Sequence, residues 1–104
     1  MAEEHIDVVV RGPHATATLR GEFDMAATFT VEPALERLLD EPGLEALTLD
    51  LSAVRFVDST GIGVLVRVTD EAQRRGIALT ITPAPPEVQR VFEVSGLADV
   101  LPFS

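Results

Sequence analysis

The chain has no cysteine, no lysine, no tryptophan and no tyrosine, and each absence removes a kind of chemistry. Without cysteine there is no disulfide, no thiolate metal site and no cysteine nucleophile. Without lysine there is no phosphate-loop lysine, no Schiff base and no lysine general base; all eight cations are arginine. The two histidines, His5 and His14, sit in a polar N-terminal segment without ligand spacing, so no metal site is expected. No apolar run reaches the roughly 18 residues needed to span a bilayer. The opening MAEEHID is acidic where a secretory signal is basic and then apolar, so the expectation is a cytoplasmic protein without membrane insertion. Seventeen acids against eight bases give a net charge of −9. That charge repels phosphate backbones, arguing against direct nucleic-acid binding and for a basic protein partner.

What is present suits one small globular domain over residues 1–104, with 46% apolar residues and five phenylalanines. HIDVVV and ATATLRGEF are β-prone runs separated by the turn RGPH and predict a hairpin or two adjoining strands. In MAATFTVEPALERLLDEPG, Leu35, Leu38 and Leu39 fall at helical spacing, and Pro42-Gly43 ends the run. Pro33 is expected either to kink that helix or to set its start near residue 32. LEALTLDLSAVRFV alternates as a strand does. From Thr60 to Arg75 the period becomes helical, with Ile62, Leu65, Val66, Val68, Thr69 and Ala72 assigned to the apolar face and Gly76 closing the helix. IALTIT reads as a strand and PAPPEVQRVFEVSGL as a helix that starts on prolines and ends at Gly96. DVLPF is a candidate for one last strand. The order ββαβαβα implies an α/β protein with crossovers and an at least partly parallel sheet.

The segment VDSTG joins a strand to a helix and carries the residues with the most chemistry. In its plainest reading Asp58 or Ser59 caps the helix, while Gly61 and Gly63 allow it to pack closely on the sheet. An aspartic protease carries D-[ST]-G; here D-S-T-G is one residue too long, and the helices contradict an all-β enzyme. The serine-hydrolase elbow needs G-x-S-x-G and a later histidine, and neither is present. The third position of a dinucleotide fingerprint is Val66 where glycine is required. A receiver domain lacks its lysine. Beside the helix cap, the remaining functional reading is that Ser59 is itself the substrate of another protein: a hydroxyl at a helix N-terminus, where free amides and the dipole could receive a phosphate.

Three segments, LRGEFD (Leu19–Asp24), LTLDLSAVRFVDSTGIGVL (Leu47–Leu65) and VFEVSGL (Val91–Leu97), resemble in order and spacing the STAS domains of bacterial anti-sigma factor antagonists. The resemblance covers nearly the whole chain. It implies a STAS-like mixed β-sheet with helices packed mainly on one face, no catalytic residues and no cofactor. It places the phosphorylated serine at Ser59, with Asp24, Asp58, Thr60, Gly61, Gly63 and Val64 in the partner-binding region. The implied partners are an anti-sigma factor that is also a serine kinase, bound by the unphosphorylated form so that a sigma factor is released, and a serine phosphatase that reverses the modification. The alternative within the family is a non-switching docking module of a stressosome-like or lipid-transport complex. Pro33 departs from the pattern beside the expected partner surface.

Overall fold

The computed structural model describes residues 2–104. A two-residue strand β1 (Ala2–Glu3) precedes the hairpin β2 (Ile6–Arg11) and β3 (His14–Phe23); then come α1 (Met25–Leu39), β4 (Ala46–Val57), α2 (Ser59–Arg74), β5 (Ala78–Thr82) and α3 (Pro86–Val94). The five strands form one sheet in the order β1-β2-β3-β4-β5, antiparallel through the hairpin and parallel across β3, β4 and β5. The expected order and the mixed sheet are both found. The chain crosses from β3 to β4 through α1 and from β4 to β5 through α2, stepping the same way along the sheet each time. Right-handed crossovers therefore put α1 and α2 on one face, where they pack against each other.

Strand alternation decides what that face buries. Ile6 pairs with Leu19, Val8 with Ala17, Ala17 with Leu49 and Leu49 with Ile81, and directly paired residues point to the same side. All of these are buried in one continuous core, together with Leu47, Leu51, Leu35, Val31, Leu65 and Phe92. The opposite side of the same strands carries Thr16, Thr18, Thr48, Asp50, Thr80 and Thr82, half-buried or exposed. No polar or charged residue is buried among the described residues.

Near its end β4 leaves strict alternation. Thr18 pairs with Asp50 but Arg20 with Ala53, and Gly21 pairs with Val54 but Glu22 with Phe56, so β4 carries an extra residue at each of two irregularities. Its buried positions accordingly run 47, 49, 51, 54 and 57. The bulges keep Val54 and Val57 inward and bring the end of β4 level with the end of β3.

Helix α1 runs unbroken through Pro33. Of the two expectations, a start near residue 32 is not found, because the inward residues Ala27, Val31, Ala34, Leu35, Leu38 and Leu39 keep helical spacing on both sides of the proline. Pro33 is on the exposed side. The Phe29 carbonyl lacks the N–H that residue 33 would donate to it in any other helix. Helix α3 ends as expected: Gly96 adopts φ +80, the Leu97 N–H donates to the Phe92 carbonyl at 2.8 Å, and the Gly96 N–H donates to the Glu93 carbonyl at 3.2 Å. The DVLPF segment makes no full strand; a single parallel bridge joins Phe103 to Ile81, and the Phe103 ring meets Phe92 edge-on at 5.2 Å.

An interior proline costs a helix about 3 kcal/mol relative to alanine, part of which its stiffening of the unfolded chain returns. Pro33→Ala is therefore expected to raise stability by about 2 kcal/mol, read as a higher urea midpoint at constant m-value.

Candidate functional site

The ends of β3 and β4 lie side by side, and each feeds a helix capped by an aspartate. Asp24 has extended backbone, and its carboxylate accepts the Ala27 N–H at 3.0 Å at the mouth of α1. Asp58 does the same for α2, accepting the N–H groups of Thr60 at 3.0 Å and Gly61 at 3.1 Å and the Thr60 hydroxyl at 2.5 Å, all on one oxygen. The Thr60 hydroxyl is the largest cause, and the Gly61 N–H the next, of an Asp58 carboxyl held below its ordinary value of 3.8; desolvation opposes them, and the backbone of Met25 across the cleft adds a smaller pull. The two caps are tied together, since the Asp58 N–H donates to the Phe23 carbonyl at 3.4 Å.

Phe23 also explains one of the glycines. A Cβ on Gly61 would stand 2.4 Å from the Phe23 carbonyl oxygen and 3.0 Å from its ring, so α2 comes this close to β3 only with glycine there. Gly61 is buried, and its close approach is to the chain's own backbone. Gly63 differs: a Cβ there would meet only the tip of the Arg67 side chain at 3.3 Å.

Ser59, the first residue of α2, is exposed, and its hydroxyl has no partner among the described residues. Thr60 is half-buried, with its hydroxyl committed to Asp58. The sequence reading left the first-turn amides open to a phosphate; the structure gives two of them to Asp58, leaving the Ser59 N–H as the open donor of that turn.

Asp24, Asp58, Ser59, Thr60 and Gly61 thus converge on one edge of the sheet, with Gly63 one turn along α2. Val64 does not join them. It is 1% exposed, because the face of α2 buried against the sheet is Gly61, Val64, Leu65, Val68 and Ala72, and its side chain offers a partner nothing. Val66, assigned to the apolar face from sequence, is 39% exposed. The helix is rotated from the expected facing because a glycine, which the hydrophobic pattern ignores, occupies the tightest inward position. Sequence reading also missed Met25 and Phe29 of α1, 57% and 76% exposed beside this edge. Winding the Leu35–Leu39 pattern back through Pro33 would have put both off the buried face. No cluster of three or more acids or histidines among the described residues could hold a metal ion, and no helix of the described chain is long and apolar enough to cross a membrane.

The STAS domain family model matches residues 5–104. The chain belongs to the STAS domain family. The anti-sigma-B factor antagonist of Listeria monocytogenes is 32% identical over 98 residues, covering 94% of this chain and 77% of that protein. Among solved structures, an anti-sigma factor antagonist from Mycobacterium paratuberculosis superposes with a TM-score of 0.82 at 24% identity, over 94% of this chain and 82% of that one. The anti-sigma factor antagonist SpoIIAA in its unphosphorylated form gives 0.78 at 19% identity, over 95% and 87%. Both structures share the fold of this STAS domain, mixed sheet and helices alike.

Two outcomes check the packing of this edge. Gly61→Ala is expected to destabilise the domain by about 1–3 kcal/mol, since backbone must move to admit the methyl. Gly63→Ala, opposed only by a flexible side chain, is expected to raise stability by up to about 1 kcal/mol through helix propensity. Denaturant titrations of the two variants read opposite signs. Asp58 supplies a pH dependence. A carboxyl whose folded pKa is lowered contributes stability that is fully present above 3.8 and is lost as pH falls through the lower folded value. The stability difference between the native protein and Asp58→Asn is expected to shrink on acidification across that window, followed by thermal melts at stepped pH.

Proposed function

We propose that this STAS domain is an anti-sigma factor antagonist whose binding is switched off by phosphorylation of Ser59. The observation that carries the reading is the contrast between neighbouring hydroxyls: Ser59 is exposed and unpartnered, while Thr60 is bound to Asp58. The relatives named anti-sigma factor antagonists supply the partner class. In this reading the unmodified domain binds an anti-sigma factor, which then releases its sigma factor. The anti-sigma factor is also the serine kinase, with ATP bound on that partner. A serine phosphatase restores the unmodified state, and the antagonist itself catalyses nothing. The setting is the cytoplasm, where the transcription apparatus is.

The geometry supports a local switch. The phosphate would add about −1.5 to −2 charges at pH 7. Asp58 has already taken the Thr60 and Gly61 amides that could otherwise neutralise it, and Asp58 and Asp24 stand beside it. The new charge therefore faces outward. Against one partner carboxylate about 7 Å away, two charges cost about 1 kcal/mol in water-like dielectric and about 5 at an effective value of 20. That lowers affinity by roughly tenfold to several thousandfold, with no refolding required.

The test uses each anti-sigma factor encoded in the same genome, purified and incubated with this protein and magnesium ATP. Mass spectrometry is expected to find one phosphate, on Ser59 and not on Thr60, with loss of the complex; Ser59→Ala is expected to bind and remain unmodified. Phosphate on another residue, or a complex that survives stoichiometric Ser59 modification, would overturn the switch and favour constitutive docking.

A further inference from the structure

Helices α1 and α2 start from adjacent parallel strands and run side by side in a fixed register. Glu32 pairs with Arg67, at 2.9 Å to Nε, and Asp40 with Arg75 at 2.5 Å; both pairs are offset by 35 residues. The same offset sets Met25 level with Thr60, and Phe29 level with Val64, one residue beyond Gly63. On each helix wheel the residues opposite the buried stripe form the outer surface of the layer: Met25, Phe29 and Pro33 on α1, and Ser59, Gly63 and Val66 on α2. The charges in this half, Glu32 and the exposed Arg67, are paired with each other between the helices. Further along, the outward positions become Glu36, Arg37, Asp40, Asp70 and Arg74. A chain of net charge −9 thus leaves a methionine and a phenylalanine in water next to Ser59, an exposed first-turn hydroxyl with no partner among the described residues.

We infer that Met25 and Phe29, with Val66 across the helix pair, are the apolar anchors on which the anti-sigma factor docks, with Ser59 at their margin as the gate. The inference rests on the reading of Ser59 as the switch and adds where the binding energy arises. Aromatic and methionine side chains are enriched at the centres of interfaces, where a few buried anchors dominate affinity. The surroundings define the occupant. Glu22, Asp24 and Asp58 lie at one end of the patch and Glu36 at the other, and the exposed Arg67 between them is already paired with Glu32, so the matching surface is an apolar pocket rimmed by cations. A second copy of this chain would bring acids against acids, which disfavours self-association through this face. Docking on Met25 and Phe29 holds the partner over Ser59. The phosphate then enters the desolvated margin of an interface, where its charge costs most.

The experiment titrates each purified anti-sigma factor of the same genome with the full chain as the native protein, Phe29→Ala, the double variant Met25→Ala/Phe29→Ala, Ser59→Asp, and Val94→Ala as a remote exposed control on α3. Phe29→Ala is expected to weaken the complex at least about tenfold and the double variant about a hundredfold, with Val94→Ala within about twofold. Thermal midpoints should be unchanged, because both anchors are exposed. In the kinase assay the anchor variants should raise KM for Ser59 phosphorylation and leave kcat alone. If the anchor variants bind like the native protein while Ser59→Asp does not, the inference is overturned and the switch stands. If they weaken binding while Ser59→Asp binds normally, the anchors stand and the switch falls. If no anti-sigma factor binds the native protein, both fall. A native dimer in sedimentation that Phe29→Ala makes monomeric overturns the inference in favour of self-association.

Discussion

The contact between the first turn of α2 and the end of β3 is what the site depends on. The Phe23 carbonyl accepts the Asp58 N–H and lies where a Gly61 side chain would have to go. The candidate site is built on that junction. It sets two helix N-termini side by side, brings Asp24 and Asp58 to one edge, and turns the next residue, Ser59, into solvent. The bulges in β4 serve the same end, since two extra residues bring the strand level with its neighbour while keeping Val54 and Val57 inward. Glycine at position 61 is therefore a packing requirement of the helix against its own sheet.

Capping explains how one aspartate can be structural and still shape the chemistry beside it. Asp58 satisfies Thr60 and Gly61 through one carboxylate oxygen and is held ionised by those bonds. A helix N-terminus normally welcomes an anion; here a resident carboxylate has taken that role. A phosphate on the adjacent serine would be left with little internal compensation, and its charge would face outward. The ion pairs between Glu32 and Arg67 and between Asp40 and Arg75 hold the two helices in register around this edge. As exposed pairs they contribute alignment more than stability.

Much of this was legible in the sequence. Alternating Leu47, Leu49 and Leu51, the turn at RGPH, and the glycine helix ends at Gly76 and Gly96 are local signals, and local hydrogen bonding and sterics enforce them whatever surrounds them. The VDSTG junction was legible for the same reason, because an aspartate one residue before a helix is read from its neighbours. Pro33 left the start of α1 open, since the cost of an interior proline is local while the gain from burying Ala27 and Val31 ahead of it is tertiary. The facing of α2 was likewise misread, with Val64 inside and Val66 outside.

The sequence by itself determined the order of strands and helices, the caps and turns, and the family to which the motif belongs, because each follows from interactions spanning a few residues. Only the tertiary structure decided which face each helix buries, which glycine touches backbone, and that Met25 and Phe29 stand in solvent beside Ser59. Those outcomes depend on the distance between segments more than thirty residues apart, such as Glu32 and Arg67. That distance is set by the packing of the whole core and is written in no local stretch of the chain.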